Sequence, residues 1–463
     1  MKAAAIVFFS SLILLSACRK DAFITSPDAI VRITIDTLKF DTVFVESGSV
    51  TKSFKIVNEN DKRLRLSSVR LAGGNSSAFS MNVDGAFATE VNNIEIDAND
   101  SLYVFVRVSV DPGAASLPFV IRDSITVSYN GTDQKVRLEA WGQNAHFLRD
   151  AELSADETWA NDLPYVIVGS LRVNEGAQLT IEKGCRVYVN AGAPIIVNGT
   201  LVVNGEKDSV DRVYFMGDRL DVPYRDYPAA WPGIYFGETS SDNVMNYAVI
   251  KNAYQAIGLT GPSVNSNPKL ELNECIIDNS FDAGIIAINS SIKANNCLIS
   301  NCGKNLVLVG GEYAFEHCTV VSISNLFIQH TAPVLQLANT NGITALPLIA
   351  RFRNCIFWGE NGLVESEIST LRDNSVSFIG EFENVLWKIV TVPDGVTTIG
   401  PAPINNENPQ FDSIDVAHKY FDFRLKETSP AIDMGATGSL TIDLDGNPRP
   451  VNLPDLGSYE RQP

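Results

Sequence analysis

A six-residue phrase recurs six times in the second half of the chain. Each copy has an apolar residue, two polar or bulky residues, a small residue, any residue and another apolar residue. The copies are MNYAVI at 245–250, LNECII at 272–277, ANNCLI at 294–299, FEHCTV at 315–320, FRNCIF at 352–357 and FENVLW at 382–387. Their fourth positions lie 27, 22, 21, 37 and 30 residues apart. Spacings in this range are typical of repeat architectures.

The spacing within the phrase indicates a corner in the chain. Because side chains alternate along a strand, the first and fourth positions both face inward only if the chain turns between them. Asparagine suits such a corner because it tolerates the left-handed backbone conformation. The fourth positions then stack as a buried ladder, and the fifth positions face outward. These fifth positions are Val249, Ile276, Leu298, Thr319, Ile356 and Leu386.

The outward column is apolar and therefore requires a cover. We expect this cover to come from the insertion at 322–351 or from the C-terminal tail. The alternative is that the column is a docking face for the first domain or for a partner.

The cysteines favour packing over chemistry. Six follow Cys18, and four of them, Cys275, Cys297, Cys318 and Cys355, occupy ladder positions. We predict reduced, buried thiols there, since side chains in register point the same way; the alternative is a disulfide between neighbouring ladder positions. The redox states of Cys185 and Cys302 stay open. Without a C-x-x-C pair and with four scattered histidines, neither a zinc site nor another cofactor is expected.

The N-terminus has the pattern of an export signal. Lys2 precedes an apolar run at 3–15 that is too short to span a bilayer, and the run ends in LSAC at 15–18. This ending resembles the bacterial lipobox, which implies cleavage before Cys18 and lipidation of its sulfur. The alternative is an ordinary secretory signal. The following RKDA at 19–22 loosely resembles surface-sorting signals of Bacteroidetes lipoproteins. We therefore expect a lipid-anchored protein at the outer membrane or cell surface; whether it lies on the inner or the outer face of that membrane stays open.

Residues 31–144 alternate apolar and polar side chains over short runs, and Asn130-Gly131 between two such runs is a hairpin signal. Seven or more short strands predict an immunoglobulin-like β-sandwich. FKIVN at 54–58 and LRL at 64–66 resemble the abnormal-spindle type of such domains. Residues 1–17 are then a signal peptide, and residues 18–30 are a lipidated linker.

Residues 145–428 consist of very short strands interrupted by Gly and Asn, followed by the repeated phrase. This region resembles right-handed parallel β-helix proteins with the pectate lyase-like fold. The predicted fold class is therefore all-β, a sandwich followed by a β-helix.

Residues 429–463 contain SPAIDMG at 429–435, DLDGNPR at 443–449 and DLGSYE at 455–460. These motifs resemble the ending of bacterial surface β-helix proteins of the choice-of-anchor Q type. Asp443 and Asp445 raise a weak calcium alternative. Gly446 directly follows Asp445, the second acid, whereas an EF-hand loop has a third acidic or amide residue before its glycine. We therefore predict a structural turn and no metal site.

The formal charge of −18 argues against a nucleic-acid partner. We expect a non-catalytic surface scaffold that binds glycan or protein, with Trp231, Tyr235 and Trp358 as candidates for stacking on sugars and Trp387 in the core. The alternative is a carbohydrate-active enzyme, a polysaccharide lyase or glycoside hydrolase, that acts through an acidic groove. Acids beside the ladder, such as Glu316 and Glu383, lie near Arg351 and Arg353, but they form no recognisable catalytic pair. We assign no catalytic residue.

Overall fold

The computed structural model describes residues 22–44, 51–109 and 119–462. The chain divides into two compact units between Ala145 and His146. Cys18 and the predicted signal peptide lie outside the described residues. The described residues include no helix with the length and apolar character of a membrane span.

The described residues of the first unit form eleven strands in two sheets. The strands are β1 (Phe23–Ile24), β2 (Val31–Ile33), β3 (Thr37–Phe44), β4 (Lys52–Asn58), β5 (Arg63–Leu71), β6 (Phe79–Val83), β7 (Ala86–Phe87), β8 (Glu90–Ile96), β9 (Ser101–Val108), β10 (Phe119–Tyr129) and β11 (Thr132–Gln143), with a 3₁₀ turn at Gly74–Ser76. One sheet has the order β1-β5-β10-β11-β3 with β8 beside β5, and the other has the order β2-β4-β9-β6-β7.

Alternation along the strands builds the core of this unit. On β9, Leu102, Val104 and Val106 are buried, whereas Tyr103 and Phe105 between them are exposed. The rings of Phe40 and Phe79, one from each sheet, lie 5.8 Å apart, so the buried faces of the two sheets meet. The segment predicted as a linker already contains β1, which pairs in parallel with β5.

The second unit is dominated by one parallel sheet of 26 strands, β12 to β37. Its strands are β12 (His146–Leu153), β13 (Glu157–Trp159), β14 (Tyr165–Val173), β15 (Gln178–Glu182), β16 (Arg186–Val189), β17 (Ile195–Val197), β18 (Thr200–Asn204), β19 (Val213–Gly217), β20 (Ile234–Phe236), β21 (Asn243–Asn246), β22 (Ala248–Lys251), β23 (Gln255–Thr260), β24 (Leu270–Asn273), β25 (Ile276–Asp278), β26 (Ala283–Asn295), β27 (Leu298–Ser300), β28 (Lys304–Glu316), β29 (Thr319–Ile323), β30 (Leu335–Ala338), β31 (Leu348–Arg353), β32 (Ile356–Glu360), β33 (Ile368–Leu371), β34 (Phe378–Glu383), β35 (Leu386–Trp387), β36 (Val396–Ile399) and β37 (Ile404–Asn405). A 3₁₀ turn at Tyr224–Asp226 and an antiparallel hairpin of β38 (Phe411–Asp415) and β39 (Tyr420–Leu425) complete the unit.

The pairing pattern arranges these strands in three stacked rows. Row A contains β15, β18, β21, β24, the ends of β26 and β28, β31, β34 and β36. Row B contains β16, β19, β22, β25, β27, β29, β32, β35 and β37. Row C contains β17, β20, β23, the starts of β26 and β28, β30 and β33. This all-β arrangement with a large parallel sheet is compatible with a β-helix or solenoid.

The predicted corner lies between row A and row B. The third residue of every phrase has a positive φ: Tyr247, Glu274, Asn296, His317, Asn354 and Asn384, with φ between 49° and 55°. The first and fourth positions are consequently both buried, as the spacing requires.

The ladder cysteines are free thiols in the structure. Each one donates a hydrogen bond to the carbonyl oxygen of the first residue in the preceding phrase. The Sγ–O distances are 3.2 Å from Cys275 to Met245, 3.6 Å from Cys297 to Leu272, 3.6 Å from Cys318 to Ala294 and 3.5 Å from Cys355 to Phe315. The cysteine side chain therefore satisfies a corner carbonyl while it fills the interior.

The C-terminal tail covers part of the outward apolar column, as predicted. Leu298, Ile356 and Leu386 form a buried cluster with residues of the hairpin and the final segment. The covering residues are Phe411, Phe423, Leu425, Ala431, Leu444, Leu456 and Tyr459. Full burial of a Leu or Ile side chain contributes roughly 1.5–3 kcal/mol, so this contact holds the tail against row B. The parallel rows end at β37 and the hairpin belongs to the cover, so the predicted boundary at 428 falls after the observed one.

Candidate functional site

Two aromatic side chains project from equivalent positions on consecutive repeats. Tyr254 and Phe281 each follow a ladder position, Ala248 or Cys275, by six residues. Both lie just after the corner between rows B and C, where Asn252 and Asn279 have positive φ. The side chains are 45% and 51% exposed, and their ring centroids lie 6.0 Å apart with the planes 27° from parallel. We call Tyr254, Phe281 and the nearby Tyr235 together the aromatic corner.

Tyr235 belongs to the same corner. Gly258, its register partner on the next strand of row C, leaves room for the phenol ring, since a Cβ there would lie 2.7 Å from Tyr235 Cδ1. The Tyr235 hydroxyl donates to Pro232 O at 3.0 Å. Burial raises the pKa of Tyr235, and the nearby Tyr254 and Asp282 add to this rise. The ring is therefore half-buried and neutral.

Polar groups border the aromatic corner. Asp282 Oδ2 accepts from Gln255 Nε2 at 2.7 Å, and its Oδ1 accepts from Lys304 Nζ at 3.0 Å. Burial acts to raise the pKa of Asp282, but these two hydrogen bonds outweigh it and hold the pKa below its usual value. The corner thus combines aromatic faces with oriented hydrogen-bonding groups, the composition of many small-molecule and sugar sites.

A second aromatic cluster lies on the same corner of the solenoid. Asn252 and Asn279 donate to the carbonyls of Arg225 and Asp226, which fixes the loop that carries Tyr224 and Tyr227. The Tyr227 ring lies 5.3 Å from Tyr224 and 4.9 Å from Phe327. Two cations face these rings: Arg219 lies 3.7 Å from Tyr224, and Lys419 Nζ lies 4.1 Å from Phe327.

The predicted tryptophans do not join this surface. Trp231 is 1% exposed, and its Nε1 donates to Lys251 O at 2.9 Å inside the unit. Trp358 is 6% exposed, lies under the C-terminal tail and donates to Glu360. The stacking prediction is therefore wrong for both, because their faces are already packed; Trp387 is buried in the core, as predicted.

The charged groups beside the ladder form ion pairs on row A. Arg351 pairs with Glu381 at 2.8 Å, and Arg353 pairs with Glu316 at 3.1 Å and with Glu383 at 3.2 Å. These residues line an open groove of about 210 Å³. Its cations and acids neutralise one another in this arrangement.

Asp443 and Asp445 make contacts within the C-terminal tail that covers row B. The Asp443 carboxylate accepts from the backbone N–H groups of Asp445, Asn447 and Glu460 at 2.8–3.0 Å. Asp445 instead pairs with Arg424 at 2.7 Å. The two carboxylates thus have separate partners. Within residues 22–44, 51–109 and 119–462, no group of three His, Cys, Asp or Glu side chains is placed to hold a metal ion.

No protein-family model matches the chain, and no curated protein matches it. Short parts resemble solved structures. A family 123 glycoside hydrolase from Clostridium perfringens shares 10% identity over 24% of this chain, with a TM-score of 0.18, and the chain spans only 26% of that hydrolase. The ASH/PapD-like domain 7 of human CEP192 shares 12% identity over 26% of this chain and 89% of its own, with a TM-score of 0.18. WR4, a C. elegans MSP family member, shares 11% identity over 25% of this chain and 98% of its own, with a TM-score of 0.17.

Proposed function

We propose that this protein is a lipid-anchored, non-catalytic glycan-binding scaffold of the cell envelope. In this proposal an immunoglobulin-like domain precedes a right-handed parallel β-helix of the choice-of-anchor Q type. The ligand lies on the aromatic corner. The observation that carries the proposal is the exposed, stacked pair of Tyr254 and Phe281 beside Tyr235.

The aromatic corner offers what a sugar chain requires. Exposed aromatic faces provide apolar contact for the C–H faces of sugar rings. Gln255, Asp282 and Lys304 provide donors and acceptors for the hydroxyl groups. Strand pairing within row C holds the backbone at Gln255 and Lys304 in place. The hydrogen bonds among these residues also fix their orientation before the ligand arrives, which reduces the ordering cost of binding.

A glycan array tests the binding. We expect the purified full chain to be retained on at least one glycan. The double variant Tyr254→Ala/Phe281→Ala should lose retention by about tenfold or more, since truncation of an aromatic anchor at the centre of a binding site costs about 2 kcal/mol or more. Trp141→Ala is the matched control, because Trp141 is an aromatic side chain that is 48% exposed on β11 of the first unit and does not belong to the aromatic corner. Retention that survives the double variant would overturn the site.

The same samples distinguish binding from catalysis. Retained glycans are incubated with the full chain while ultraviolet absorbance at unsaturated ends and newly formed reducing ends are followed. We expect neither signal to rise. Turnover would replace the scaffold with a carbohydrate-active enzyme.

The lipid anchor has its own test. Metabolic labelling with an alkyne-bearing fatty acid should tag the full chain and leave Cys18→Ala untagged. The untagged variant should also move from the detergent phase to the aqueous phase in a Triton X-114 partition. Equal labelling of both proteins would contradict attachment at Cys18.

A further inference from the structure

The outer face of the five-stranded sheet in the first unit is a continuous surface of aromatic and basic side chains. On four of its five strands, β4, β9, β6 and β7, alternation turns nine side chains towards this outer face. These residues are Ser53, Lys55, Val57, Tyr103, Phe105, Arg107, Ser80, Asn82 and Phe87. We call them the basic aromatic face.

Three aromatic side chains are exposed on this face. Tyr103 is 45% exposed, Phe105 is 42% exposed and Phe87 is 68% exposed. The rings of Tyr103 and Phe105 lie 5.7 Å apart and 17° from parallel. Asn82 is the register partner of both Phe105 and Phe87, so these two phenylalanines flank one polar side chain. A groove of about 370 Å³ lies here and is bordered by Phe87, Phe105 and Arg107.

The nine residues of the basic aromatic face carry charge of one sign. None of them is an aspartate or glutamate, in a chain whose formal charge is −18. On the neighbouring edge strand β2, Arg32 pairs with Glu59. Lys55 Nζ lies 4.6 Å from the centroid of the Tyr103 ring. Arg107 is exposed beside the groove and makes no ion pair or side-chain hydrogen bond within the described residues. Its guanidinium is therefore available to an anion, with donors that match a carboxylate.

The central strand of the face presents side chains, not backbone groups, to a ligand. Strand β9 pairs with β4 on one side and with β6 on the other, so an extended peptide cannot add a strand beside it. Recognition at Tyr103, Phe105 and Arg107 therefore comes from side chains. Nearly parallel rings flanked by cations provide an apolar surface for a sugar ring and an ionic contact for its carboxylate.

We propose that the basic aromatic face is a second binding site, specific for a carboxylate-bearing glycan. This site is separate from the aromatic corner, which lies in the other unit. One chain would thus hold two classes of glycan ligand.

Calorimetric titration of the full chain in detergent tests the proposal. The probe is an oligogalacturonate of defined length, compared with the same oligomer after reduction of its carboxyl groups. We expect the reduced oligomer to bind at least about tenfold more weakly, since it cannot form the charge-assisted hydrogen bonds between its carboxylate and Arg107. Affinity for the charged oligomer should also fall as salt is added.

Variants locate the binding. Arg107→Glu and Phe105→Ser should each weaken binding of the charged oligomer by about tenfold or more. Arg137→Glu is the matched control, because Arg137 is an exposed arginine on β11 in the other sheet. Far-ultraviolet circular dichroism checks that all three variants are folded.

Three outcomes would overturn the proposal. They are equal affinity for the charged and reduced oligomers, unchanged affinity in both face variants, and binding of oligoglutamate but not of the glycan. Tyr254→Ala/Phe281→Ala should leave the affinity for oligogalacturonate unchanged. The experiment therefore distinguishes an absence of binding at the aromatic corner from an absence of binding at the basic aromatic face.

Discussion

Asn354 and Ala436 form a two-point hydrogen bond, although 82 residues separate them in the chain. Asn354 Nδ2 donates to Ala436 O at 2.8 Å, and Ala436 N donates to Asn354 Oδ1 at 2.8 Å. The main-chain carbonyl of Asn354 also accepts from Gly457 N at 2.8 Å. A single corner residue of row A thus joins two parts of the tail to the stacked strands.

Replacement of Asn354 by alanine should destabilise the second unit by about 2–4 kcal/mol. The variant leaves two part-buried backbone groups of Ala436 without partners and places alanine in a left-handed conformation that favours asparagine. Urea unfolding followed by circular dichroism measures the loss. Asn289→Ala is the control, because Asn289 has a φ of 51° but lies at a corner that the tail does not bond. Equal losses in the two variants would show that the tail contact contributes nothing.

Replacement of Gly457 by alanine should loosen the tail. Gly457 has a φ of 88°, and a Cβ there would lie 2.6 Å from Thr319 Oγ1 and 2.8 Å from Ile356 Cδ1, both in row B. Left-handed strain and overpacking together should cost about 2–5 kcal/mol. The measurement is the urea midpoint together with binding of a hydrophobic dye, which should rise as the apolar column is exposed.

Gly176→Ala is the matched control for that experiment. Gly176 also belongs to the second unit and has a φ of 81°, but no atom lies within 4 Å of the place that a Cβ would take. Only the left-handed strain of about 1–2 kcal/mol should remain. A loss as large as that of Gly457→Ala would contradict packing against row B.

The corner and the ladder could be predicted from the sequence because both follow from local periodicity. Three-residue spacing demands a turn, and the frequent asparagines indicate its conformation. Tyr247 and Glu274 occupy the same left-handed position although their residue types do not favour it, so stacking against neighbouring corners overrides local preference.

The partners of the tail and the orientation of the tryptophans could not be predicted in the same way. Trp358 follows Phe357 and turns outward, as alternation requires, but residues far away in the sequence bury it. Residue type alone does not reveal such a cover. Tyr254 and Phe281 were not identified from the sequence. Both are aromatic residues at the same offset from two consecutive ladder positions, and this repetition was a usable signal.

The buried thiols should be unreactive in the folded protein. Burial raises the pKa of Cys302 to about 12 and that of Cys185 to about 11, and it raises the pKa values of Cys275, Cys297 and Cys318 well above normal. Because the thiolate is the reactive form, iodoacetamide at pH 8 should leave these residues unmodified. After unfolding without reductant, mass spectrometry should find all six free cysteines alkylated. A higher count in a reduced sample than in the unreduced one would reveal a disulfide.

We expect the free energy of unfolding to fall at acidic pH because His317 is buried in its neutral form. Burial, together with the nearby Arg449, lowers the pKa of His317 to about 2, whereas an unfolded histidine titrates near 6.5. Below pH ~6.5 the unfolded chain binds a proton that the folded chain does not, so this contribution to stability is complete above pH ~6.5 and falls as the pH drops towards 2. The slope is about 1.4 kcal/mol per pH unit, or about 2 kcal/mol between pH ~6.5 and ~5.

His317→Asn isolates this effect, since asparagine already occupies the equivalent corners at Asn296 and Asn354. Burial raises the pKa values of Glu460 and Asp455, so their contributions to stability are lost as pH rises and act against that of His317. Both acids are present in the variant as well, so the difference in unfolding free energy between the two proteins reports mainly on His317. We expect the parent to lose about 2 kcal/mol relative to the variant between pH ~6.5 and ~5, measured by urea unfolding. Parallel stability curves would mean that His317 accepts a proton in the folded state.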